Sequence, residues 1–279
     1  MRPLEAVRDV EPGLGEAGVP SPRTDAEHLV AHVLGKSRSQ LYAPNGELTE
    51  EQLAQLRSLA ERRRRREPLA YLVGEWGFRR LVLFVDRRVL VPRPETEVLV
   101  ERCLSLLRDV QTPQVVDVGT GSGAIALAIA DEHPGARVLG IDASEDALAV
   151  ARANAARTGL ADRVALRLGD LLTSVTGRVD LVVSNPPYVL PHELDLVDPE
   201  VRDWEPRLAF LGEGVADRIA ADALRVLRPG GAVALECGDR QAQALAKHLR
   251  DLGYQDVTVA HDLAGHERIV AGHAVGSPP

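Results

Sequence analysis

The residues best suited to chemistry form the loop Asn185-Pro186-Pro187-Tyr188, which follows an apolar stretch. Residues 179–184 are mostly apolar and β-branched, which predicts a buried strand. The two prolines end that strand because neither has an N–H to donate. The loop then offers acceptors, namely the Asn185 side-chain oxygen and backbone carbonyls, with the Tyr188 ring beside them. Such a loop suits a planar substrate group that bears an NH2, although a strand followed by a simple proline turn explains the same residues.

A second candidate site is the glycine-rich loop at residues 117–124, which follows one predicted strand and opens a helix. Its glycines allow a tight turn and let a ligand approach the backbone closely. Asp142 ends the next strand, where its carboxylate can accept hydrogen bonds from two ribose hydroxyls. Gly119, Gly121 and Ala124, with Asp142 about 20 residues further on, also satisfy the dinucleotide fingerprint. The loop therefore predicts a nucleoside cofactor, but it does not decide between NAD and S-adenosylmethionine.

The loop at residues 185–188 favours the methyl donor. A methyl donor needs a nucleophile held at its sulfonium, and this loop supplies a grip for one. A dehydrogenase would need a proton donor near the nicotinamide, and the sequence offers no convincing candidate. We therefore predict S-adenosylmethionine as the cofactor and no metal.

Helical periodicity dominates residues 1–70, which we predict to form an N-terminal helical bundle that recognises substrate. Gly35 is a helix stop, and Thr49 with Gln52 three residues later is a capping signal for a helix reaching residue 66. Residues 69–78 and 81–85 are predicted to be two short strands. They would form a β-hairpin linker spanning residues 71–90.

Strands and helices alternate in the third region, residues 91–279, which predicts an α/β domain with a mostly parallel sheet. Ligands of such sheets lie at the carboxyl ends of the strands, where Ser122, Asp142, Asp170 and Asn185 fall. Seven strands are predicted, at residues 115–118, 137–141, 164–168, 179–184, 232–236, 257–260 and 268–271.

Composition narrows the class of protein. The 279 residues are 45% hydrophobic and carry a net charge of -8, which argues against a protein that coats nucleic acid. Two distant cysteines, Cys103 and Cys237, fit neither a metal site nor a disulfide framework. The sequence shows no secretory signal and no apolar run long enough to span a bilayer. We expect a cytoplasmic monomer with no membrane association and no stable binding to nucleic acid.

Five consecutive arginines, residues 62–66, end the predicted helix that follows Thr49. One interpretation is a phosphate-binding patch for RNA or a ribosome. The other is a solvated helix end, where positive charge is favourable to the helix dipole. The sequence leaves both open.

Five segments in the right order resemble the release-factor glutamine N5-methyltransferase family (PrmC/HemK) over about residues 25–272. The resemblance implies that a Rossmann-like, class I S-adenosylmethionine-dependent methyltransferase domain follows the helical domain and the hairpin in the sequence. It implies a substrate too, the glutamine of the Gly-Gly-Gln loop in class 1 peptide chain release factors. The matching segments are residues 65–74, 92–97, 117–123, 185–188 and 205–209.

Site residues follow from this resemblance by position. Leu171 stands where relatives often have an aromatic residue, so apolar packing would replace stacking on the adenine. On family position alone, Thr96 is a contact for the cofactor or for the substrate backbone, and it is placed in the cofactor set below. Asn185, Pro186, Pro187 and Tyr188 would hold the glutamine, and the first, second and fourth of these would act in catalysis. The cofactor set is Gly119, Thr120, Gly121, Ser122, Gly123, Asp142, Asp170, Leu171, Asn185 and Thr96.

In the mechanism that we expect, the Asn185 side-chain oxygen and the Pro186 carbonyl accept the two amide hydrogens. Tyr188 packs against the amide, and the proton leaves to water without a dedicated base. Glu95, Glu97 and Glu236 are the rival candidates for a base, and for Glu236 a structural hydrogen bond is the preferred role.

Three other functions remain as alternatives. An adenine or guanine amino-group methyltransferase on DNA or RNA uses the same four-residue loop, but would need a basic binding surface. A nicotinamide-dependent oxidoreductase is favoured only by the glycine spacing. A non-catalytic adaptor for release factors would not need Asn185 or an intact glycine loop.

Overall fold

The structure is a computed structural model that describes residues 1–43 and 46–275. The last four residues of the predicted 91–279 domain therefore lie outside the described residues. Contacts divide the chain into two compact units. Among the described residues, a helical unit comprises residues 1–43, 46–75 and 198–204, and an α/β unit comprises residues 76–197 and 205–275. The first division falls somewhat past the predicted boundary at residue 70.

Four α-helices build most of the helical unit, with a 3₁₀ helix, Arg38–Tyr42, between the second and the third. The capping signals predicted for this unit are confirmed. Gly35 ends α2 in the left-handed conformation at φ 61°, and Thr49 caps α3 by accepting from the Gln52 backbone N–H. The helices are α1 (Pro3–Glu16), α2 (Pro22–Leu34), α3 (Glu50–Arg64) and α4 (Leu69–Val73).

Helix α4 corrects the strand predicted over residues 69–78. Pro68 precedes the helix and Gly74, at φ 75°, ends it, so only the second half of that stretch is extended. A short apolar run does not by itself distinguish helix from strand, and here the flanking proline and glycine decide. Strand β1 (Glu75–Phe78) then pairs with β2 (Leu81–Phe84) in a two-stranded sheet.

The prediction that the arginines at residues 62–66 are solvated is wrong for Arg63, which is buried. Its guanidinium donates to Asp25 at 2.7 Å and to Glu200 at 2.7 Å, and Arg66 binds the same Glu200 carboxylate. Arg62 pairs with Glu67 at 2.6 Å. Much of the run is therefore engaged inside the helical unit, which weakens the prediction of a phosphate-binding patch.

A seven-stranded sheet forms the centre of the α/β unit, in the order β5-β4-β3-β6-β7-β9-β8. The first five strands in that order pair in parallel, and β9 pairs antiparallel with both of its neighbours. The predicted α/β fold with a mostly parallel seven-stranded sheet is thereby confirmed. The strands are β3 (Gln114–Val118), β4 (Arg137–Asp142), β5 (Val164–Leu168), β6 (Val179–Ser184), β7 (Leu227–Glu236), β8 (Gln255–His261) and β9 (Glu267–His273).

Helices cover both faces of this sheet, because alternate strand residues face opposite ways. On strand β3, Val115 packs on one face with α5, α6 and α7, whereas Val116 packs on the other with α10 and α11. Within the described residues, no helix is long and apolar enough to cross a bilayer. The helices of this unit are α5 (Pro94–Leu106), α6 (Ala124–Glu132), α7 (Glu145–Arg157), α9 (Arg207–Phe210), α10 (Val215–Val226) and α11 (Ala242–Asp251), whereas α8 (Pro199–Trp204) belongs to the helical unit.

Candidate active site

The glycine loop after β3 is a backbone cradle that only glycine can build easily. Gly119, Gly121 and Gly123 all have positive φ, at 71°, 55° and 83°, a region that L side chains rarely adopt. Gly123 is also the N-cap of α6, so the helix N-terminus opens directly from the cradle. A ligand seated here meets backbone rather than side chains, with the positive end of the helix dipole close by.

Asp142, at the end of β4, buttresses the cradle from the side. Its Oδ2 accepts from the Gly121 N–H at 2.8 Å, and its Oδ1 accepts from the Ser144 N–H at 2.9 Å. Burial raises the pKa of Asp142 above its ordinary value, although these backbone hydrogen bonds oppose the shift. Each carboxylate oxygen has a further lone pair, so the side chain can still accept from two hydroxyls of a ligand.

Beneath the cradle lies a second acid, Asp117, which the structure places at the floor of the loop. Its Oδ2 accepts from the Thr120 hydroxyl at 2.7 Å and from the Ala126 N–H at 3.2 Å. Complete burial raises the pKa of Asp117 to about 7. Thr120 is thereby turned inward to support the loop, which the sequence did not reveal.

Asn185 joins a chain of hydrogen bonds that links three elements. Its side-chain Nδ2 donates to the Thr96 Oγ1 at 3.0 Å, and the Thr96 hydroxyl donates to Glu236 Oε2 at 2.8 Å. Thr96 lies in the first turn of α5, and Glu236 ends β7. Thr96 therefore meets both Asn185 and Glu236, neighbours that its spacing in the sequence did not indicate.

The remaining loop residues are held firmly. Pro186 is buried, and the Tyr188 carbonyl accepts from Gln241 Nε2 at 2.9 Å. Burial raises the pKa of the Tyr188 hydroxyl to about 12, so the ring stays neutral. Just before the loop, the Ser184 hydroxyl donates to the Val118 carbonyl at 2.6 Å and ties the end of β6 to β3.

After β5, Leu171 has φ 47°, which is uncommon for a residue with a branched side chain. Its neighbour Asp170 is largely exposed and lies 3.7 Å from Arg218. The two residues border the same cavity as the glycine cradle. Leu171 supplies an apolar wall there, in the position where the resemblance predicts an aromatic residue in relatives.

One cavity of about 300 Å³ brings most of the predicted residues together at the carboxyl edge of the sheet. Gly123, Pro186 and Tyr188 lie outside its lining. From the cradle and the neighbouring strands it is lined by Gly119, Thr120, Gly121, Ser122 and Asp142. From α5 and the loops after β5 and β6 it is lined by Thr96, Asp170, Leu171, Asn185 and Pro187.

The segment at residues 205–209, which carried part of the resemblance without a role, also reaches the cavity. Pro206 and Leu208 line it, and Leu208 remains well exposed. Glu205 anchors the segment because its fully buried carboxylate accepts from Arg93 at 2.7 Å. Two of the resembling segments, residues 92–97 and 205–209, thus meet at the site.

Titratable residues in the described part of the chain do not gather into a metal site, since no three His, Cys, Asp or Glu side chains come together. Cys103 and Cys237 are both buried and free.

Comparison with known proteins gives a consistent result. Residues 5–74 match the family model of the PrmC N-terminal domain, and residues 95–199 match that of the methyltransferase small domain. The release factor glutamine methyltransferase of Caulobacter vibrioides is 44% identical over 265 residues, which cover 93% of this chain and 92% of that protein. The protein of the same name from Deinococcus radiodurans is 44% identical over 270 residues, with 94% and 95% covered.

Solved structures share the fold at lower identity. A methyltransferase from Pyrococcus furiosus superposes with a TM-score of 0.51 and 22% identity, covering 70% of this chain and 89% of that one. The hMettl16 catalytic domain in complex with an RNA hairpin gives a TM-score of 0.58 at 15% identity, covering 82% and 83%. At such identities the likeness concerns the fold alone.

Proposed function

Because the chain belongs to the release factor glutamine methyltransferase family, we propose that it methylates the side-chain nitrogen of a glutamine in a peptide chain release factor, with S-adenosylmethionine as the donor. The observation that carries this proposal is the orientation of Asn185. Its Nδ2 is bound to Thr96, which leaves Oδ1 as the acceptor toward the cavity.

The residues present fit S-adenosylmethionine. Gly119 and Gly121 offer a backbone cradle where a Cβ would be strained, which suits the close approach of an amino-acid or ribose group. Asp142 keeps acceptor capacity for two ribose hydroxyls. Leu171 supplies an apolar wall for the adenine, and Asp170 lies beside it. When bound, the cofactor supplies a methyl group activated by a sulfonium charge.

Positioning of the substrate amide is the main task of this chain's residues. An amide nitrogen is a poor nucleophile because its lone pair is delocalised. The Asn185 Oδ1 and the Pro186 carbonyl would accept its two hydrogens, which aims the lone pair away from them and toward the methyl. Tyr188 would pack against the carboxamide, and Pro187 would stiffen the loop. Correct positioning of this kind is worth about 7–11 kcal/mol at best.

No base is needed in this scheme. The nitrogen becomes strongly acidic once it is methylated, so its proton leaves to water. Two of the three rival acids have structural partners: Glu97 accepts from the Arg79 N–H at 3.0 Å, and Glu236 accepts from Thr96.

The finer identity of the substrate belongs to the same proposal. We infer the glutamine of the Gly-Gly-Gln loop of class 1 release factors, because the two glycines that precede the glutamine carry no side chains to block its entry into a narrow cavity. Release factors act on ribosomes, so the cytoplasmic location predicted from the sequence goes with this substrate. The monomeric state and the lack of stable nucleic-acid binding stay predictions.

Labelled S-adenosylmethionine tests the proposal when it is offered with a release factor, with free DNA or RNA, and with no substrate. Mass mapping should place one methyl group on the glutamine of the Gly-Gly-Gln loop. A release factor whose glutamine is replaced by glutamate is the matched control and should take up no label. Label in the nucleic acid and none in the release factor would overturn the proposal in favour of a base methyltransferase.

A further inference from the structure

Three side chains, Asn185, Thr96 and Glu236, form a series of hydrogen bonds that ends at the substrate side of the cavity. Thr96 is 4% exposed and Glu236 is 1% exposed, so water competes poorly for either bond. The Thr96 hydroxyl donates to Glu236 Oε2 at 2.8 Å, and Asn185 Nδ2 donates to Thr96 Oγ1 at 3.0 Å. The series runs through α5, the end of β6 and the end of β7.

The number of hydrogens in this series fixes the direction of every bond. An ionised carboxylate is only an acceptor, and a threonine hydroxyl has a single hydrogen to give. Once that hydrogen goes to Glu236, the Thr96 oxygen can only accept from Asn185. The Asn185 amide must therefore turn its NH2 toward Thr96 and its Oδ1 toward the cavity.

We propose that Glu236 and Thr96 are positioning residues that set the amide orientation of Asn185, and so decide whether the site accepts a substrate N–H. This inference rests on the function proposed above, in which Asn185 Oδ1 accepts a hydrogen from the substrate carboxamide. Thr96 lines the cavity, whereas Glu236 does not. In this proposal both residues act on the reaction through Asn185.

The reversed orientation shows why the charge on Glu236 matters. A protonated Glu236 can donate to the Thr96 oxygen, which frees the Thr96 hydrogen for Asn185 Oδ1. The Asn185 amide would then rotate and present its NH2 to the NH2 of the substrate. Two donors that face each other cannot form a hydrogen bond, so Asn185 would no longer hold the substrate carboxamide.

The surroundings of Glu236 let it titrate near neutrality. Burial raises its pKa to about 7, more than the hydrogen bond from Thr96 lowers it. No arginine pairs with it within the described residues, in contrast to Glu205, which Arg93 neutralises. The charged or titratable groups around it are Arg268, which lowers its pKa, Glu95 and Asp262, which raise it, and Tyr188 and Cys237, which it influences in turn.

A pair of variants separates positioning from stability. Thr96→Val removes the hydroxyl and keeps the shape of the side chain. We expect kcat to fall on the order of 100-fold, because small misplacements of reacting groups lower rates by this amount. Tyr254→Phe is the matched control. It removes another buried hydroxyl of the α/β unit, which donates to the Ala220 carbonyl at 2.8 Å. Neither Tyr254 nor Ala220 lines the cavity. Thr96→Ser should restore most of the wild-type kcat.

The expected pattern is that Thr96→Val and Tyr254→Phe lower Tm to a similar degree, but only Thr96→Val lowers kcat. Wild-type kcat in Thr96→Val, or a loss that Tyr254→Phe shares, would overturn the inference. Wild-type activity on release factor is measured first. If the wild type does not methylate the glutamine, the proposed function has failed; if it does and Thr96→Val matches it, only the positioning role has failed.

A pH profile at saturating cofactor and substrate gives the second readout. We expect the wild-type kcat to fall as the pH drops through about 7, because protonation of Glu236 frees the reversed orientation. Glu236→Gln cannot ionise and its amide can adopt both orientations, so kcat should be several-fold lower and should lose this dependence. An unchanged acidic limb in Glu236→Gln would contradict the role.

Discussion

Buried acids are held in opposite ways in the helical unit and at the carboxyl edge of the sheet. In the helical unit they bind guanidinium groups, as Asp25 does with Arg63, and the partly buried Glu200 binds both Arg63 and Arg66. At the edge of the sheet, Asp117, Asp142 and Glu236 are held by hydroxyls and backbone N–H groups. None of these three takes part in an ion pair within the described residues.

The pKa directions follow this division. Burial would raise the pKa of Glu200, but the hydrogen bonds from Arg66 and Arg63 outweigh it, and the pKa falls below its ordinary value. Burial prevails at the edge of the sheet, where the pKa values of Asp117 and Glu236 rise to about 7. In the helical unit, the carboxylate oxygens are occupied by guanidinium groups, which stabilises the fold. At the edge of the sheet, the carboxylates keep acceptor capacity near a ligand.

The largest expected effect tests the helical side of this comparison. Arg63→Met leaves Asp25 without a guanidinium partner and takes one from Glu200. We expect the free energy of unfolding to fall by about 3–5 kcal/mol, as when one partner of a buried ion pair is removed. Arg65→Met is the control from the same run, since its pair with Glu61 is exposed and worth at most about 1 kcal/mol.

Trp204 provides a local probe for these denaturation curves, because it lies in the helical unit and its indole donates to the Arg65 carbonyl at 3.2 Å. The chain has one other tryptophan, Trp76, so a Trp76→Phe background isolates the signal. Equal losses in Arg63→Met and Arg65→Met would show that the arginines do not hold these acids.

The next effect tests the edge of the sheet. Asn185→Ala removes the proposed acceptor, and kcat at saturating cofactor should fall on the order of 100-fold or more. Gln243→Ala removes an exposed carboxamide of the same unit and should leave kcat unchanged. A near-normal rate in Asn185→Ala would mean that positioning of the substrate amide does not depend on this side chain.

Asp142→Asn sharpens the same side at a smaller scale, because it replaces one of two acceptor oxygens with a donor. The Kd for S-adenosylhomocysteine, measured by calorimetry, should rise roughly 10- to 100-fold, the range for a lost hydrogen bond to a charged group. Asp146→Asn, an exposed change in the first turn of α7, should leave the Kd as it is. An unchanged Kd in Asp142→Asn would mean that the Asp142 side chain does not bind the cofactor.

The smallest effect is a difference in pH dependence between the units. A lowered pKa at Glu200 stabilises the fold above the ordinary value of 4.5, and this stabilisation is lost as the pH falls through the folded-state pKa. Raised pKa values at Asp117 and Glu236 act in reverse, so their contribution is lost as the pH rises toward about 7. As the pH is lowered, the stability of the helical unit, followed by Trp204, should therefore fall before that of the sheet.

Hydrogen exchange of the β3 and β7 amides gives the matching observation for the α/β unit. Their protection should decrease between about pH 5 and pH 7, while the Trp204 transition stays constant over that range. Parallel changes in both probes would break the comparison, because they would mean that the two sets of acids titrate alike.

Local signals in the sequence were enough for most of the fold. Thr49 with Gln52, and Gly35 after α2, are interactions within one turn, so spacing reveals them. The alternation of strands and helices from residue 115 predicted the sheet, and the strand ends located Asp142 and Asn185. Where local signals conflicted, as in the apolar residues 69–73, the prediction of a strand was wrong.

The partners of the site residues could not be predicted in the same way. Thr96 meets Glu236 at 140 residues' separation, and Arg63 meets Glu200 at 137. Such pairs depend on how helices and strands pack, and neither residue type nor spacing marks them. The arginines at residues 62–66 are an example. Both interpretations of the sequence placed all five guanidinium groups at the surface, whereas that of Arg63 is buried.

A crystal structure with S-adenosylhomocysteine and a Gly-Gly-Gln peptide tests the central claim most directly. Asn185 Oδ1 and the Pro186 carbonyl should lie within hydrogen-bonding distance of the glutamine nitrogen, with Asn185 Nδ2 still on Thr96 and the nitrogen facing the sulfur. A glutamine held elsewhere, or an Asn185 that turns its NH2 toward the peptide, would contradict it.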